Sequence, residues 1–272
     1  MSQAQDHRTR RYFLRRSAAL FALMHLPGLG CGKTQPTTSR DRPPEAASRG
    51  RFAHLKLHTH RLDEQRAFYS KTLGLPVVAE SKQSFTIEAG GTTLEFEQAS
   101  DQAAPFYHFA FNIPENKLAK AKQWLIPRCP LLRDSWTGAD ELFFEAWNAH
   151  ATYFHDPAGN IVEFIARHTL QNARGGAFGV EDILYASEIG LVGDQEQLGE
   201  QIMGALGVRR YHHSPMFVGD EHGLFVLAPV GRPWIPERVK AAAVFPAEVT
   251  VAGHGRQSLE CDGHPYRIRG NA

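Results

Sequence analysis

Four residues have the types and spacing to hold a divalent metal ion: His54, Glu95, His108 and Glu163. Glu163 sits inside the apolar run Ile161, Val162, Phe164, Ile165, where a strand should be buried. An unpaired carboxylate in such a place is costly enough that it neutralises, pairs or binds a cation. Glu95 occupies the matching place in "TTLEFEQ", between Leu94 and Phe96. His54 and His108 each stand in a strand-like segment, "FAHLKLHT" and "FYHFAFNI", upstream of their glutamate. Side chains two apart share a strand face. The apolar neighbours can therefore face helices while two imidazoles and two carboxylates face a shared concavity.

The elements that would position these residues form a repeat. The first unit opens with a strand over residues 52–59, then a short helix in "RLDEQRAFYSKTLGL" that ends at Gly74. Short strands follow near Phe85 to Glu88 and Thr92 to Glu97. The second unit has a strand over 106–113, a helix from Glu115 to about Leu125, strands near Leu142 to Trp147 and Ala151 to Phe154, and the final strand "IVEFIAR". The turn "HDPAGN" precedes that strand, with Asp156 and Pro157 suited to open it and Gly159 and Asn160 to close it. Each unit reads as βαβββ.

The repeated units, the "AFYSKTLGL" helix end, the "YFHDPAGNIVEFI" ending and the His, Glu, His, Glu order resemble the vicinal oxygen chelate superfamily. That superfamily includes glyoxalase I, fosfomycin and bleomycin resistance proteins and extradiol dioxygenases. The resemblance implies an α+β fold in which paired βαβββ units curl into an open barrel around one divalent ion (Fe, Ni, Zn, Mn or Co). It carries the metal onto His54, His108 and Glu163, with Glu95 as the fourth ligand of the glyoxalase I pattern. Glu163 or Glu95 would then act as the catalytic base on a small substrate with vicinal oxygens. With Glu95 as a ligand the chemistry resembles that of an isomerase or lyase. Without it, two histidines and one carboxylate suit iron and ring-cleaving dioxygenation. A non-catalytic binding protein of the antibiotic-sequestering kind stays open as the alternative.

Lys56, His58 and Asn112 are expected to line the substrate pocket, since they share strand faces with the two histidines. His150 and His155 sit beside turns, where solvation is the ordinary state.

After Arg167 a glycine-rich bridge leads to "ILYASEIGLVGDQEQLGEQIMGALGV", which reads as strand, helix and terminal Gly207. Counting back from Gly207 as from Gly74 to His54 puts Ser187 at the ligand place, and "LFVLAP" contains no glutamate. Residues 175–270 are thus expected to hold a degenerate third unit without metal chemistry, which covers the barrel or drives self-association into a homodimer. "AEVTVAG" and "PYRIR" add strands but not the length of a full fourth unit, and His212, His213 and "GRPWIP" read as structural or interface features.

The N-terminus reads as an address. Thr9-Arg10-Arg11-Tyr12-Phe13-Leu14-Arg15 resembles the twin-arginine export signal, followed by the apolar run Ala18 to Leu29. Residues 1–31 are expected to engage the twin-arginine machinery and to direct the protein to the periplasm or outer surface. "LGC" loosely resembles a lipoprotein box, which would put a lipid anchor on Cys31. Residues 32–50, rich in Pro, Ser, Thr and Arg, read as a flexible linker. The metal-binding domain of two units spans 51–168.

The totals agree with a globular enzyme or binding protein. Of 272 residues, 42% are hydrophobic, enough for one or two cored domains. The net charge of +1 becomes mildly acidic without residues 1–31, leaving 25 basic and 28 acidic residues. No basic surface suggests nucleic acid. Cys129 and Cys261 read as small buried hydrophobes.

Overall fold

A computed structural model describes residues 50–99 and 104–271. The twin-arginine segment, Cys31 and most of the linker lie outside the described residues. No helix among the described residues is long and apolar enough to cross a membrane.

The described chain is mixed α+β and forms two curled seven-stranded sheets. The first sheet has the order β13-β14-β12-β1-β4-β3-β2 and the second β10-β11-β9-β5-β8-β7-β6. In chain order the strands are β1 (Phe52–Thr59), β2 (Val77–Glu80), β3 (Ser84–Ala89), β4 (Thr92–Gln98), β5 (His108–Ile113), β6 (Leu142–Phe144) and β7 (Ala149–His155). They continue with β8 (Ile161–Arg167), β9 (Tyr185–Val192), β10 (Phe217–Asp220), β11 (Gly223–Ala228), β12 (Ala247–Val251), β13 (Ser258–Glu260) and β14 (Tyr266–Gly270). The helices are α1 (Leu62–Ala67), α2 (Leu118–Leu125) and α3 (Gln195–Leu206). A five-residue π-helical turn, Phe68–Thr72, carries α1 on towards Gly74, which takes a positive φ of 78°.

One wiring recurs four times. The first strand of a unit lies parallel to its last, as in β1/β4, β5/β8, β9/β11 and β12/β14. The last strand is always the antiparallel hairpin partner of the strand before it. The third unit keeps its helix but pairs only a single hairpin. The C-terminal strands repeat the scheme without a helix, so they form a trimmed fourth unit.

Each first strand also forms a seam with another unit. β1 pairs antiparallel with β12, and β5 pairs antiparallel with β9. The first unit is thus completed by the fourth and the second by the third, so the first two units lie in different sheets. Alternation of apolar and polar residues dictates which face of a strand is buried, but every unit offers a similar first-strand edge, and alternation does not choose among edges.

The apolar side chains follow the same logic. Leu55 and Leu57 of β1, Leu94 and Phe96 of β4, and Phe109 and Phe111 of β5 join one large core with the three helices. The opposite face of the second sheet is lined by Ala110, Ala149, Ala151, Tyr153, Ile161 and Ile165. Glu163, flanked by Val162 and Phe164 of the large core, faces this second, smaller cluster. Cys129 and Cys261 are free and buried.

The "HDPAGN" turn is a tie between units. Asp156 Oδ1 accepts from the backbone of Ala158 and Asn160 at 3.1 and 3.0 Å. Its Oδ2 accepts from Tyr69 at 2.7 Å, Gln65 at 2.9 Å and the Asn160 amide at 2.7 Å. The first unit's helical segment is thereby pinned to the second unit's turn.

Candidate metal centre

Three donors meet inside the second sheet. His108, Glu163 and Glu188 each offer one ligand atom, and these atoms lie within 4.8 Å of one another. His108 Nε2 is 3.6 Å from Glu163 Oε2 and 3.8 Å from Glu188 Oε2. All three side chains are buried.

Strand register assembles them. Ala110, two residues along β5 from His108, pairs with Glu163 on one side and Glu188 on the other. Both carboxylates therefore project to the face that His108 occupies. The small side chain of Ala110 leaves the space between them open.

His108 is held as a metal ligand would be. Its Nδ1 lies 3.1 Å from the carbonyl of Ile161. A carbonyl only accepts, so Nδ1 carries the proton and Nε2 is turned to the carboxylates. A bare nitrogen lone pair facing two carboxylates needs a proton or a cation between them. Burial, then repulsion from Glu188, pushes the Glu163 carboxyl well above its ordinary range. Two carboxylates and one imidazole with no room for bulk water fit a divalent ion.

Charged and aromatic neighbours complete the centre. Arg167, fully buried at the end of β8, pairs through Nη2 with Glu188 Oε1 and donates from Nε to Asn112 Oδ1 at 3.3 Å. Tyr153 stands opposite Glu163 in the β7/β8 ladder, and burial, then the Glu163 and Glu188 charges, push its hydroxyl well above the ordinary phenol range. The indole of Trp234 packs on His108 with ring centroids 5.2 Å apart. Gly190 makes that seat possible, because a Cβ there would fall 2.7 Å from Trp234 Cη2.

The residues expected from sequence divide between two places. His108 and Glu163 come together, whereas His54 and Glu95 face each other in the first sheet, Nε2 to Oε2 at 3.5 Å. Lys56 reaches Glu95 at 3.4 Å and also pairs with Glu97. Burial lowers the His54 pKa, and the Glu97 hydrogen bond leads the causes that raise that of Lys56. Lys56 and His58 line a cavity of about 480 Å³ in the first sheet, together with Glu97, Glu248, His264 and Arg267. Asn112 lies in the second sheet with its amide fully engaged: it donates to Tyr185 and to the Glu221 carbonyl and accepts from Arg167 and Ser187. His150 contacts His168 at 2.8 Å, and His155 contacts Glu237 at 2.9 Å.

The expectation that the third unit lacks metal donors is corrected by Glu188. The β5/β9 ladder shifts register between Ala110 and Phe111, so Ser187 and Glu188 are both accommodated beside β5. Counting back from Gly207 presumes the strand-to-helix spacing of the first unit and lands on the neighbouring Ser187, whose hydroxyl instead donates to Asn112. A usable signal existed: Glu188 stands in "YASEIGLV" as Glu163 stands in "IVEFIAR", one carboxylate in a run that is buried throughout. Arg167 and Trp234 carried no comparable sequence signal, since their roles depend on contacts 21 and 126 residues away, with Glu188 and His108.

Comparison with known proteins bears on the fold of the first two units. Residues 51–164 match the family described as Glyoxalase/Bleomycin resistance protein/Dioxygenase superfamily. That match supports a vicinal-oxygen-chelate domain over the first two units. No curated protein matches the sequence. A provisionally assigned dioxygenase from Bacillus subtilis subsp. subtilis str. 168 shares the fold, with a TM-score of 0.53 and 15% identity over 82% of this chain and 86% of its own. A glyoxalase I variant from Zea mays matches 81% of this chain and 94% of its own at 14% identity and a TM-score of 0.48. Lactoylglutathione lyase from Agrobacterium tumefaciens, at 22% identity and a TM-score of 0.34, matches 46% of this chain and 95% of its own.

Proposed function

We propose that this protein is an exported, divalent-metal-dependent enzyme whose centre is His108, Glu163 and Glu188, and that it acts on a small substrate through two neighbouring oxygens. The observation that carries this reading is the buried convergence of the three donor atoms within 4.8 Å. Bound there, a divalent ion would supply Lewis-acid polarisation of a substrate oxygen. The chain's own residues do the rest.

Glu163 would be the group to move a proton, as a carboxylate ligand that can loosen from the ion. Tyr153 stands beside it as its partner in the β7/β8 ladder. Arg167 fixes Glu188 and offsets one of the two carboxylate charges, so the centre with a divalent ion carries about one net positive charge and favours an acidic oxygen on the substrate. Trp234 shields the site from water.

The donor set bears on the reaction. One imidazole with two carboxylates differs from the triad of two histidines and one carboxylate that suits iron and dioxygen. It supports the isomerase or lyase reading over ring cleavage. Export rests on the paired Arg10 and Arg11 and weighs against an intracellular thiol such as glutathione as the substrate. A second reading, binding without catalysis, is favoured by the 480 Å³ cavity in the first sheet.

The test is metal content of the chain from residue 32 onward, purified without chelators, beside a His108→Ala, Glu163→Ala double variant, followed by assay of proton exchange on small 2-hydroxy and 2-oxo acids. About one ion per chain, lost in the variant, with metal-dependent exchange is the expected result. Absence of metal after reconstitution would sink the catalytic reading.

A further inference from the structure

Arg167 is fully buried, yet its Nη1 meets no hydrogen-bond partner among the described residues. The other two nitrogens are committed. Nε donates to Asn112 Oδ1 at 3.3 Å, and Nη2 pairs with Glu188 Oε1. Those two nitrogens share the side edge of the planar guanidinium. Its end edge, Nη1 with the second hydrogen of Nη2, is a two-donor fork of the shape that both oxygens of a carboxylate fill. A buried cationic donor without an acceptor is costly, so a fork kept in this state points to a ligand.

The supports of Arg167 hold the fork in place. Asn112 is itself tied to Tyr185 at 2.9 Å, to the Glu221 carbonyl at 3.0 Å and to Ser187 at 3.1 Å. The guanidinium therefore keeps its orientation before any ligand arrives, which lowers the cost of binding one. Ala149 stands opposite Arg167 in the β7/β8 ladder, and its methyl group offers no acceptor to the fork. Trp147 presents its ring 5.9 Å from the guanidinium carbon and packs against Phe217 at 4.7 Å, so that side of the site is walled by apolar rings.

Glu188 makes the fork a neighbour of the metal donors. Its Oε1 faces Arg167 while its Oε2 faces His108 at 3.8 Å. A divalent ion at the centre balances Glu163 and Glu188, so the remaining positive charge of the loaded site belongs to Arg167. That charge and the ion lie on either side of one carboxylate group. A compact ligand spans both.

We propose that Arg167 determines substrate specificity, its end edge binding a carboxylate that the substrate carries in addition to the two neighbouring oxygens directed at the ion. The substrate class is then a short 2-hydroxy or 2-oxo diacid rather than a monoacid. This inference rests on the reading of His108, Glu163 and Glu188 as a metal centre.

The experiment first counts Co²⁺ per chain by equilibrium dialysis. The loaded protein is then titrated with malate, with lactate, and with malate amidated at its distal carboxylate, following the visible absorption of the ion. All three probes offer the same hydroxy acid oxygens; only malate adds a second carboxylate. Malate is expected to bind about 10-fold or more tightly than either of the others. Arg167→Gln should bring that ratio to about one, whatever it does to the affinity for lactate, and loss of support for Glu188 alone would weaken all three probes alike. The comparison of malate with its amide needs no variant, so it decides the matter even if Arg167→Gln fails to fold. Bound Co²⁺ with no binding of malate, with equal affinity for malate and its amide, or with a preference that persists in Arg167→Gln overturns the inference and leaves the centre standing. Absence of bound Co²⁺ rejects the centre and the inference together.

Discussion

His108 on β5 and Glu188 on β9 face each other at 3.8 Å across the seam between the second and third units. The seam therefore builds the centre from two units, and neither unit alone supplies the full donor set. Arg167, four residues beyond Glu163, holds the Glu188 carboxylate in place rather than joining the set.

Metal binding should follow this division of residues. Glu188→Gln and His108→Ala are expected to weaken Co²⁺ affinity by more than about 100-fold, beyond the ~10–100-fold typical of residues that only orient ligands. Glu95→Gln and His54→Ala should leave the bound ion in place. Titration followed by Co²⁺ absorption measures both, and retention of full affinity in Glu188→Gln would count against the centre.

Stability without metal should depend on pH through Glu163. Its native pKa is raised from the ordinary 4.5 by burial and then by Glu188, so the folded protein prefers the protonated form. The resulting stability is complete below about 4.5, where the unfolded chain is also protonated, and is lost as pH climbs from there through the raised native value. Chelator-treated protein should melt at a falling temperature over that range. Glu163→Gln should flatten the slope, and thermal melts across the pH series would show it.

The Arg167 and Glu188 pair should matter most in the metal-free state. Arg167→Met leaves a buried carboxylate without its counter-charge, which costs about 3–5 kcal/mol. A divalent ion restores positive charge beside Glu188. The loss measured by denaturant unfolding should therefore be smaller in the metal-loaded protein than after chelation.

Asp156 should be a stability residue with no part in chemistry. It accepts five hydrogen bonds from the turn, Tyr69 and Gln65. Asp156→Ala strands buried donors and should cost about 3 kcal/mol or more, read as a lower denaturant midpoint. Metal stoichiometry in the folded fraction should not change.

Local patterning settled much of this molecule before any coordinates. The strand period predicted β1, β4 and β8 within about a residue, and glycines marked the ends of the first and third helical segments because Gly74 and Gly207 take positive φ there. The buried carboxylate of Glu163 announced a charged partner, since isolation in an apolar strand is too costly. The identity of the partner was another matter. His54 and Glu95 carry the same local signals as His108 and Glu163, yet strand edges, not strand faces, decide which units join. Edge pairing is a long-range choice among near-equivalent first strands, and the β5/β9 pairing, which sets Glu188 opposite Ala110, brings the third donor to the site. The sequence by itself determined the repeated unit and its buried acid; only the tertiary structure decided that the acid's cation site spans the second and third units.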